Sequence, residues 1–393
     1  MHTRTRWRHF TLLVILFGTL LSACGQDDAP AGEDGVGSSP TVVATTSDAS
    51  APTSVAPPTS GGASTSVATR SPGAGESEGE LVIYSARKEE LMKPLVDAFT
   101  EETGVKVVLK SATPGDLALL MTQERGSPRG DVFFTTDAGG AENLRLQGLL
   151  EPYVSPNAAN VPAEFKSPDG AWTGVIGRSR NIMYNTERVK PEDAPDSITD
   201  LTDPRWKGQA AMASIAEGGV RLWLAWLLLE KGEAWTVKYV NDLKANGMKV
   251  LPDHTDVANA VGRGEVSLGI VNHYYYVFEK RDGSPVGLIY PDQGEGEMGT
   301  LVVPLAVSMI KGAPHPSAAK QFVDFALSAD GQQPLTTQES EFPLVEGADL
   351  GSAKMQDVRT ISEIKRPNVD FTELAKAEKR AVELFTPILG GGE

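Results

Sequence analysis

From residue 80 onward the chain alternates short apolar runs with amphipathic ones, and that alternation admits few folds. Leu81-Val82-Ile83-Tyr84 reads as a strand. Residues 88–102 place Leu91, Leu95 and Phe99 at i, i+4 and i+8, the spacing of one helix face. Gly104 stops that helix, and Val105-Lys106-Val107-Val108-Leu109 reads as the next strand. A helix over 116–124 and a strand over 131–135 continue the series. Strand–helix–strand repetition of this kind builds a doubly wound α/β sheet, in which helices cover the two apolar faces of a largely parallel sheet. Ligands on such sheets bind at the carboxyl ends of strands. Residues 84–87, 135–139 and 272–276 therefore fall in one candidate region.

A second α/β stretch runs from about 178 to 300. Residues 218–231 are almost continuously apolar, too short to span a bilayer and suited to a buried helix. An amphipathic helix over 234–246 ends at Gly247, and a short one over 256–263 follows. A late strand near 301–307 and a helix over 317–327 would return to the first half of the fold. No internal repeat is evident.

The apolar strand Val266 to Val271 runs directly into Asn272-His273-Tyr274-Tyr275-Tyr276. Three consecutive phenols are hard to bury, because each hydroxyl needs a partner. At a strand end facing a cleft they present hard oxygen donors, which suit hard, highly charged cations such as ferric iron. The alternative is an aromatic strand end packed against a neighbouring lobe. As a strand, the run puts Tyr274 and Tyr276 on one face and His273 and Tyr275 on the other. Two adjacent phenols then reach one metal only if the strand bends, and Tyr276 reads as a packing residue.

The N-terminus carries an address. Arg4, Arg6 and Arg8 precede an apolar stretch from Phe10 to Leu21, the pattern of a bacterial export signal. Leu21-Ser22-Ala23-Cys24 resembles a lipobox, which marks 1–24 as a lipoprotein signal peptide and Cys24 as the lipidated residue. An ordinary secretory signal or a short anchor helix are the alternatives. Residues 25–79, rich in Ser, Thr, Ala, Gly and Pro, bury too little apolar surface to offset ordering entropy. They read as a disordered tether.

Composition narrows the function. A formal net charge of −16 argues against nucleic acid as a partner. Cys24 is the sole cysteine, which excludes an intramolecular disulfide and a cysteine-based metal site. Five histidines leave little material for a histidine-rich zinc site. No phosphate-binding Gly-x-x-x-x-Gly-Lys loop and no Gly-x-Ser-x-Gly elbow occurs, and a secreted hydrolase, the remote alternative, finds no motif.

Over roughly 80–350 the sequence resembles the ferric-iron-binding family of extracellular solute-binding proteins that serve ABC importers. Five pieces carry the likeness in the family's order. They are Tyr84-Ser85-Ala86-Arg87, the run 130–139 beginning Gly130-Asp131-Val132, and Gly177-Arg178-Ser179-Arg180-Asn181. Asn272-His273-Tyr274-Tyr275 and Glu341-Phe342-Pro343-Leu344 follow. The resemblance implies a non-enzymatic receptor of the type II periplasmic-binding-protein fold, two doubly wound lobes joined by two crossover strands and closing by hinge motion. The crossovers would fall near 175–180 and 299–304. Lobe 1 would be 80–176 with a return over 302–393, and lobe 2 would be 177–301.

By the same resemblance Tyr274 and Tyr275 are the paired iron ligands. Asn272, Arg178, Arg180 and Ser85 are the residues it implies for holding a synergistic anion such as carbonate or phosphate. One of the two arginines could instead serve as an ion pair across the lobes. An ABC permease and ATPase are the implied partners of a monomer tethered outside the cell membrane. Three departures stand out. Lys88 occupies the position of a family histidine ligand, no tyrosine lies in Ala216-Glu217-Gly218-Gly219-Val220, and Glu339 stands where some members have an arginine. Asp137, His254, Glu89 and Glu217 are the available substitutes. Asp137 is also a natural N-cap for a helix over 138–146, and His254 could be a solvated loop residue. Lys88, with Arg87, Arg178 and Arg180, equally suits a metal-free site for an organic anion such as a phosphonate, phosphosugar or carboxylate.

Overall fold

The computed structural model describes residues 80–345, 348, 355 and 357–390, with the backbone alone at 338 and 339. The export signal, Cys24, the 25–79 segment and the side chain of Glu339 lie outside the described residues.

The first half runs β1 (Leu81–Ser85), α1 (Glu89–Thr103), β2 (Val107–Ser111), α2 (Pro114–Gln123), β3 (Val132–Thr135), α3 (Ala138–Leu146) and β4 (Leu150–Glu151). The long β5 (Thr173–Asn185) leads to β6 (Ala210–Ala213), α4 (Gly218–Lys231), α5 (Glu233–Ala245), β7 (Lys249–Leu251) and α6 (His254–Gly262). Then come β8 (Leu268–Asn272), α7 (His273–Arg281), β9 (Val286–Ile289), β10 (Val302–Ile310), α8 (Pro316–Ala326), α9 (Ala329–Glu339), β11 (Phe342–Pro343) and α10 (Phe371–Leu389).

The α/β alternation expected from the sequence is present. In α1 the buried face is Met92, Leu95 and Phe99, with Leu91 only half-buried, one residue round from the expected face. Phe99 meets Phe322 edge-on at 5.1 Å, which seats α1 on α8. Gly104 ends the helix in the left-handed region at φ 72°, and its N–H donates to the Thr100 carbonyl. Helix α4 buries Val220 and the run Leu222 to Leu227, so it is core rather than membrane. Among the described residues no helix is long and apolar enough to cross a bilayer.

The strands form one sheet in the order β2-β1-β3-β10-β5-β8-β6-β7, with β11 and β9 also paired to β5 and β4 to β10. β1 is parallel to β2 and β3, and β6 is parallel to β7 and β8. Between these two parallel groups run β10 and β5, antiparallel to their neighbours. The first part of β5 pairs with β10, setting Arg178 opposite Val303 and Ser179 opposite Val302. Its last part pairs with β8 and β9, setting Arg180 opposite Asn272. The change of partner thus falls between Ser179 and Arg180. Both arginines lie on one face by the strand's two-residue period.

One expectation is corrected. The tyrosine run does not continue a strand; β8 ends at Asn272 and α7 begins at His273. The strand alternation expected for 273–276 therefore does not hold. On a helix, successive side chains turn by about 100° and not 180°. Tyr274 and Tyr275 can therefore share a face without any bend, and their ring centroids lie 4.4 Å apart.

Candidate functional site

Four of the helices begin at one cavity. Its volume is about 230 Å³. Thr136 and Asp137 precede α3, Glu217 to Gly219 open α4, His254 opens α6, and Asn272, Tyr274 and Tyr275 open α7. Arg178 and Arg180 enter from β5, and Leu222, Leu301 and Val303 close the apolar side. Each helix start presents the positive end of its dipole, and α4 and α7 begin without a side-chain cap, whereas Asp137 caps α3 and Asp253 caps α6. The cavity is thereby suited to anionic oxygen, including phenolate.

The arginines have different surroundings. Arg180 is 5% exposed, and its Nη1 lies 3.2 Å from His254 Nε2. Burial lowers its pKa to about 10, with the neighbouring Tyr274, Tyr275 and Glu217 opposing that fall, so it remains a cation near neutrality. Arg178 donates from Nε to Glu341, and its guanidinium lies over the Tyr274 ring, 5.2 Å from the centroid. The Glu341 carboxylate also accepts from Arg87 Nη1 at 2.7 Å. Burial alone would raise the Glu341 pKa, but Arg178 and Arg87 outweigh it and hold the group ionised.

His254 is buried, 2% exposed, and not a solvated loop residue. Burial, with Arg180 and Arg178 beside it, keeps its pKa well below the usual histidine range, so the ring is neutral. Guanidinium N–H groups only donate, so Nε2 accepts and the proton sits on Nδ1. That Nδ1 is buried and has no partner among the described residues. His273, by contrast, is fully satisfied. It accepts the Ser179 N–H at Nδ1, donates from Nε2 to the Ser340 carbonyl, and stacks on Phe342 at 3.9 Å. Burial brings its pKa down to about 4.

Tyr274 is 8% exposed, and its Oη accepts from Asn272 Nδ2 at 3.3 Å. Burial pushes the Tyr275 phenol well above its ordinary range, and neighbouring Tyr274 adds to the shift. Tyr276 donates to Asp357 at 2.7 Å and serves packing, as the sequence suggested. Asp137 caps α3 by accepting the Gly140 N–H at 2.8 Å, and it also lines the cavity. Burial raises its pKa, with the Gly140 and Gly139 N–H groups and nearby arginines opposing. Burial and Asp253 likewise raise the pKa of Glu217.

The fold brings together Tyr274, Tyr275, Asn272, Arg178, Arg180, Asp137, His254 and Glu217. It leaves Ser85 out of the cavity wall, buried, with its Oγ donating to the Arg87 carbonyl at 2.8 Å. Lys88 and Glu89 are exposed and line no part of this cavity. Sequence reading missed Gly219 and Glu341. A β-carbon at Gly219 would fall 2.1 Å from Arg180 Nη2, so glycine is what lets the start of α4 approach the guanidinium. Gly219→Ala is expected to displace Arg180 and weaken ligand affinity roughly tenfold with little change in melting temperature. Calorimetric titration of the variant checks this; unchanged affinity would remove Arg180 from the binding group.

Among the described residues no cluster of three or more His, Cys, Asp or Glu side chains could hold a metal ion.

Two parallel strand groups, two linking strands and a cavity at the helix starts make up a type II periplasmic-binding-protein fold. The model for the bacterial extracellular solute-binding protein family matches residues 127–374, and the chain belongs to that family. Iron uptake protein A1 of Synechocystis sp. is 30% identical over 322 residues, covering 79% of this chain and 87% of that protein. The Fe(3+)-binding periplasmic protein of Serratia marcescens is 28% identical over 317 residues, covering 80% and 91%. The structure of Trichodesmium IdiA (FutA) with iron and citrate ligands matches with a TM-score of 0.71 at 26% identity, covering 79% of this chain and 99% of that one. The periplasmic binding protein AfuA of Actinobacillus pleuropneumoniae, with fructose-6-phosphate bound, matches at 0.65 and 25% identity, covering 80% and 99%.

Proposed function

We propose that the chain is a lipid-anchored receptor that captures ferric iron and delivers it to an ABC permease and its ATPase. The observation that carries this reading is the pair Tyr274 and Tyr275. They stand side by side at the start of α7, inside a cavity that also holds a buried guanidinium. Two phenolates would cancel part of the tripositive charge, and an oxyanion such as carbonate or phosphate would cancel more. Arg180 and Asn272, which both line the cavity, would hold that anion, one with a planar fork and the other with an amide donor. Asp137 would supply a further oxygen. His254, with its Nε2 lone pair turned to Arg180, would orient that guanidinium rather than ligate metal. The relatives named for iron uptake and Fe(3+) binding support the cargo. The lobes would be 80–176 with 302–393, and 177–301, closing over the complex as a monomer and opening at the permease.

Cys24 would carry the lipid. Cys24→Ser is expected to release the chain from membranes into the medium, read by fractionating cells and probing each fraction. Membrane retention of the variant would point to an uncleaved anchor instead.

A second reading keeps the receptor but changes the cargo to an organic anion without metal, as the AfuA likeness supports. Thermal melting of the full chain separates the two. Ferric citrate at a hundredfold excess over its dissociation constant stabilises by about 2.7 kcal/mol, a shift of several degrees, whereas fructose-6-phosphate gives none. A shift with the sugar phosphate alone would favour the second reading.

A further inference from the structure

His254 lines the cavity, yet neither of its ring nitrogens is open to a ligand there. Nε2 accepts from Arg180 Nη1 at 3.2 Å, and Nδ1 is enclosed, with no hydrogen-bond partner among the described residues. The ring is carried on the first residue of α6, where Asp253 caps the helix by accepting the Asp256 N–H at 2.8 Å. It also meets the Tyr275 ring, with centroids 5.7 Å apart.

What His254 can act on is the guanidinium. The bond to His254 is the one side-chain hydrogen bond that Arg180 makes among the described residues. Arg180 Nε and Nη2 have no protein partner there and are not enclosed, so they remain accessible to a ligand. The start of α4 closes the same cluster. A β-carbon at Gly219 would lie 2.1 Å from Arg180 Nη2 and 3.4 Å from His254 Nε2. Arginine is long and flexible, and an unanchored one loses rotamer freedom when it grips an anion. A fork anchored beforehand avoids that loss. The anchor also matters by its charge. A carboxylate in this place would cancel the guanidinium, whereas the neutral imidazole leaves the charge to the ligand.

We propose that His254 is a positioning residue for the anion half of the site: its Nε2 lone pair holds Arg180 Nη1, leaving the other N–H groups to the anion, and His254 itself touches neither anion nor metal. This deepens the proposed function and rests on its reading of Arg180 as a ligand of the anion, but not on the metal.

Two substitutions that both remove the ring, and with it the packing on Tyr275, separate this role from others. In His254→Gln the amide reaches about as far as Nε2 and offers Nη1 an acceptor; in His254→Asn it reaches only about as far as Nδ1. Inorganic phosphate is titrated into the metal-free full chain by calorimetry. His254→Gln is expected to bind within about threefold of the unaltered chain, and His254→Asn roughly tenfold more weakly. Equal losses in the two variants would make the residue packing alone, and a smaller loss in His254→Asn would give it its own contact with the anion. Either result would overturn the proposal. So would absence of phosphate binding by the unaltered chain, which would leave Arg180 without an anion.

A second measurement needs no altered chain to be stable. Nitrogen-15 spectra of the unaltered chain are expected to show one neutral histidine ring protonated at Nδ1, the opposite tautomer to that of His273, and to keep that tautomer when phosphate is added. A His254 ring protonated at Nε2 could not accept from Arg180 and would overturn the proposal. Absence of iron binding by the unaltered chain would defeat the iron reading without touching either measurement.

Discussion

A chain carrying Tyr275→Phe is expected to lose the visible phenolate-to-iron charge-transfer band of the iron-loaded protein, with iron affinity lower by roughly a hundredfold or more. The substitution removes one oxygen and leaves the ring. Tyr275 packs its ring on Tyr274, with His254 and Phe278 nearby, and all of those contacts survive in phenylalanine. Its pKa is raised by burial and by Tyr274, so the hydroxyl is a neutral group in the metal-free chain and contributes little charge there. The melting temperature of the metal-free variant should therefore change little. Absorption spectra and chelator competition on the two chains measure both effects. An unaltered band and affinity would remove Tyr275 from the coordination sphere.

The second large effect is that of pH. The Tyr275 phenol is pushed above its ordinary range, so it is protonated in the metal-free protein at every physiological pH. Coordination requires the phenolate and must expel that proton. The sign follows: binding releases protons, so affinity rises with pH and falls with acid. One proton per iron gives about tenfold per pH unit, hence about a hundredfold between pH 7.5 and 5.5, and each further proton released steepens the slope. His254 and His273 do not reverse this, since both are held neutral by burial at the start of the fall. The check is a count of protons released when iron is added as a weak chelate to lightly buffered protein, corrected for the chelate's own protons. At least one per iron is expected, and none would mean that the phenol of Tyr275 stays intact.

Much of the fold was legible because its signals are local. The apolar run of α4 is dense enough to fix a buried helix without knowledge of its neighbours. Gly104 and Gly247 mark real helix and turn endings, both with positive φ. The tyrosine run was misread because its signals conflict. Tyr, Val and Phe have good strand propensity and follow a true strand, so propensity extends β8 too far. Against this stand weaker helix cues: Asn272 at the cap position and Lys280 and Arg281 in the last turn, with Gly283 just beyond. The packing of Tyr276 and Val277 in the core decides in their favour.

The site was legible in its parts and not in its arrangement. The run Asn272 to Tyr275 and the two arginines of β5 could be picked out by residue type and order. What separates the arginines is a contact between Arg178 and Glu341, 163 residues apart. No pattern along the chain predicts such a pair, since it depends on where β11 docks against β5. His254 shows the same limit. Its position before a helix suggested a solvated loop, yet it is the first residue of α6 and is buried against Arg180.

The central claim, that Tyr274 and Tyr275 ligate ferric iron, is tested most directly by the visible absorption of the full chain titrated with ferric citrate. The expected result is a broad blue-green band that saturates at one iron per chain and bleaches on addition of a strong chelator. A flat visible spectrum, with the iron remaining on citrate, would contradict it and leave a receptor for an organic anion.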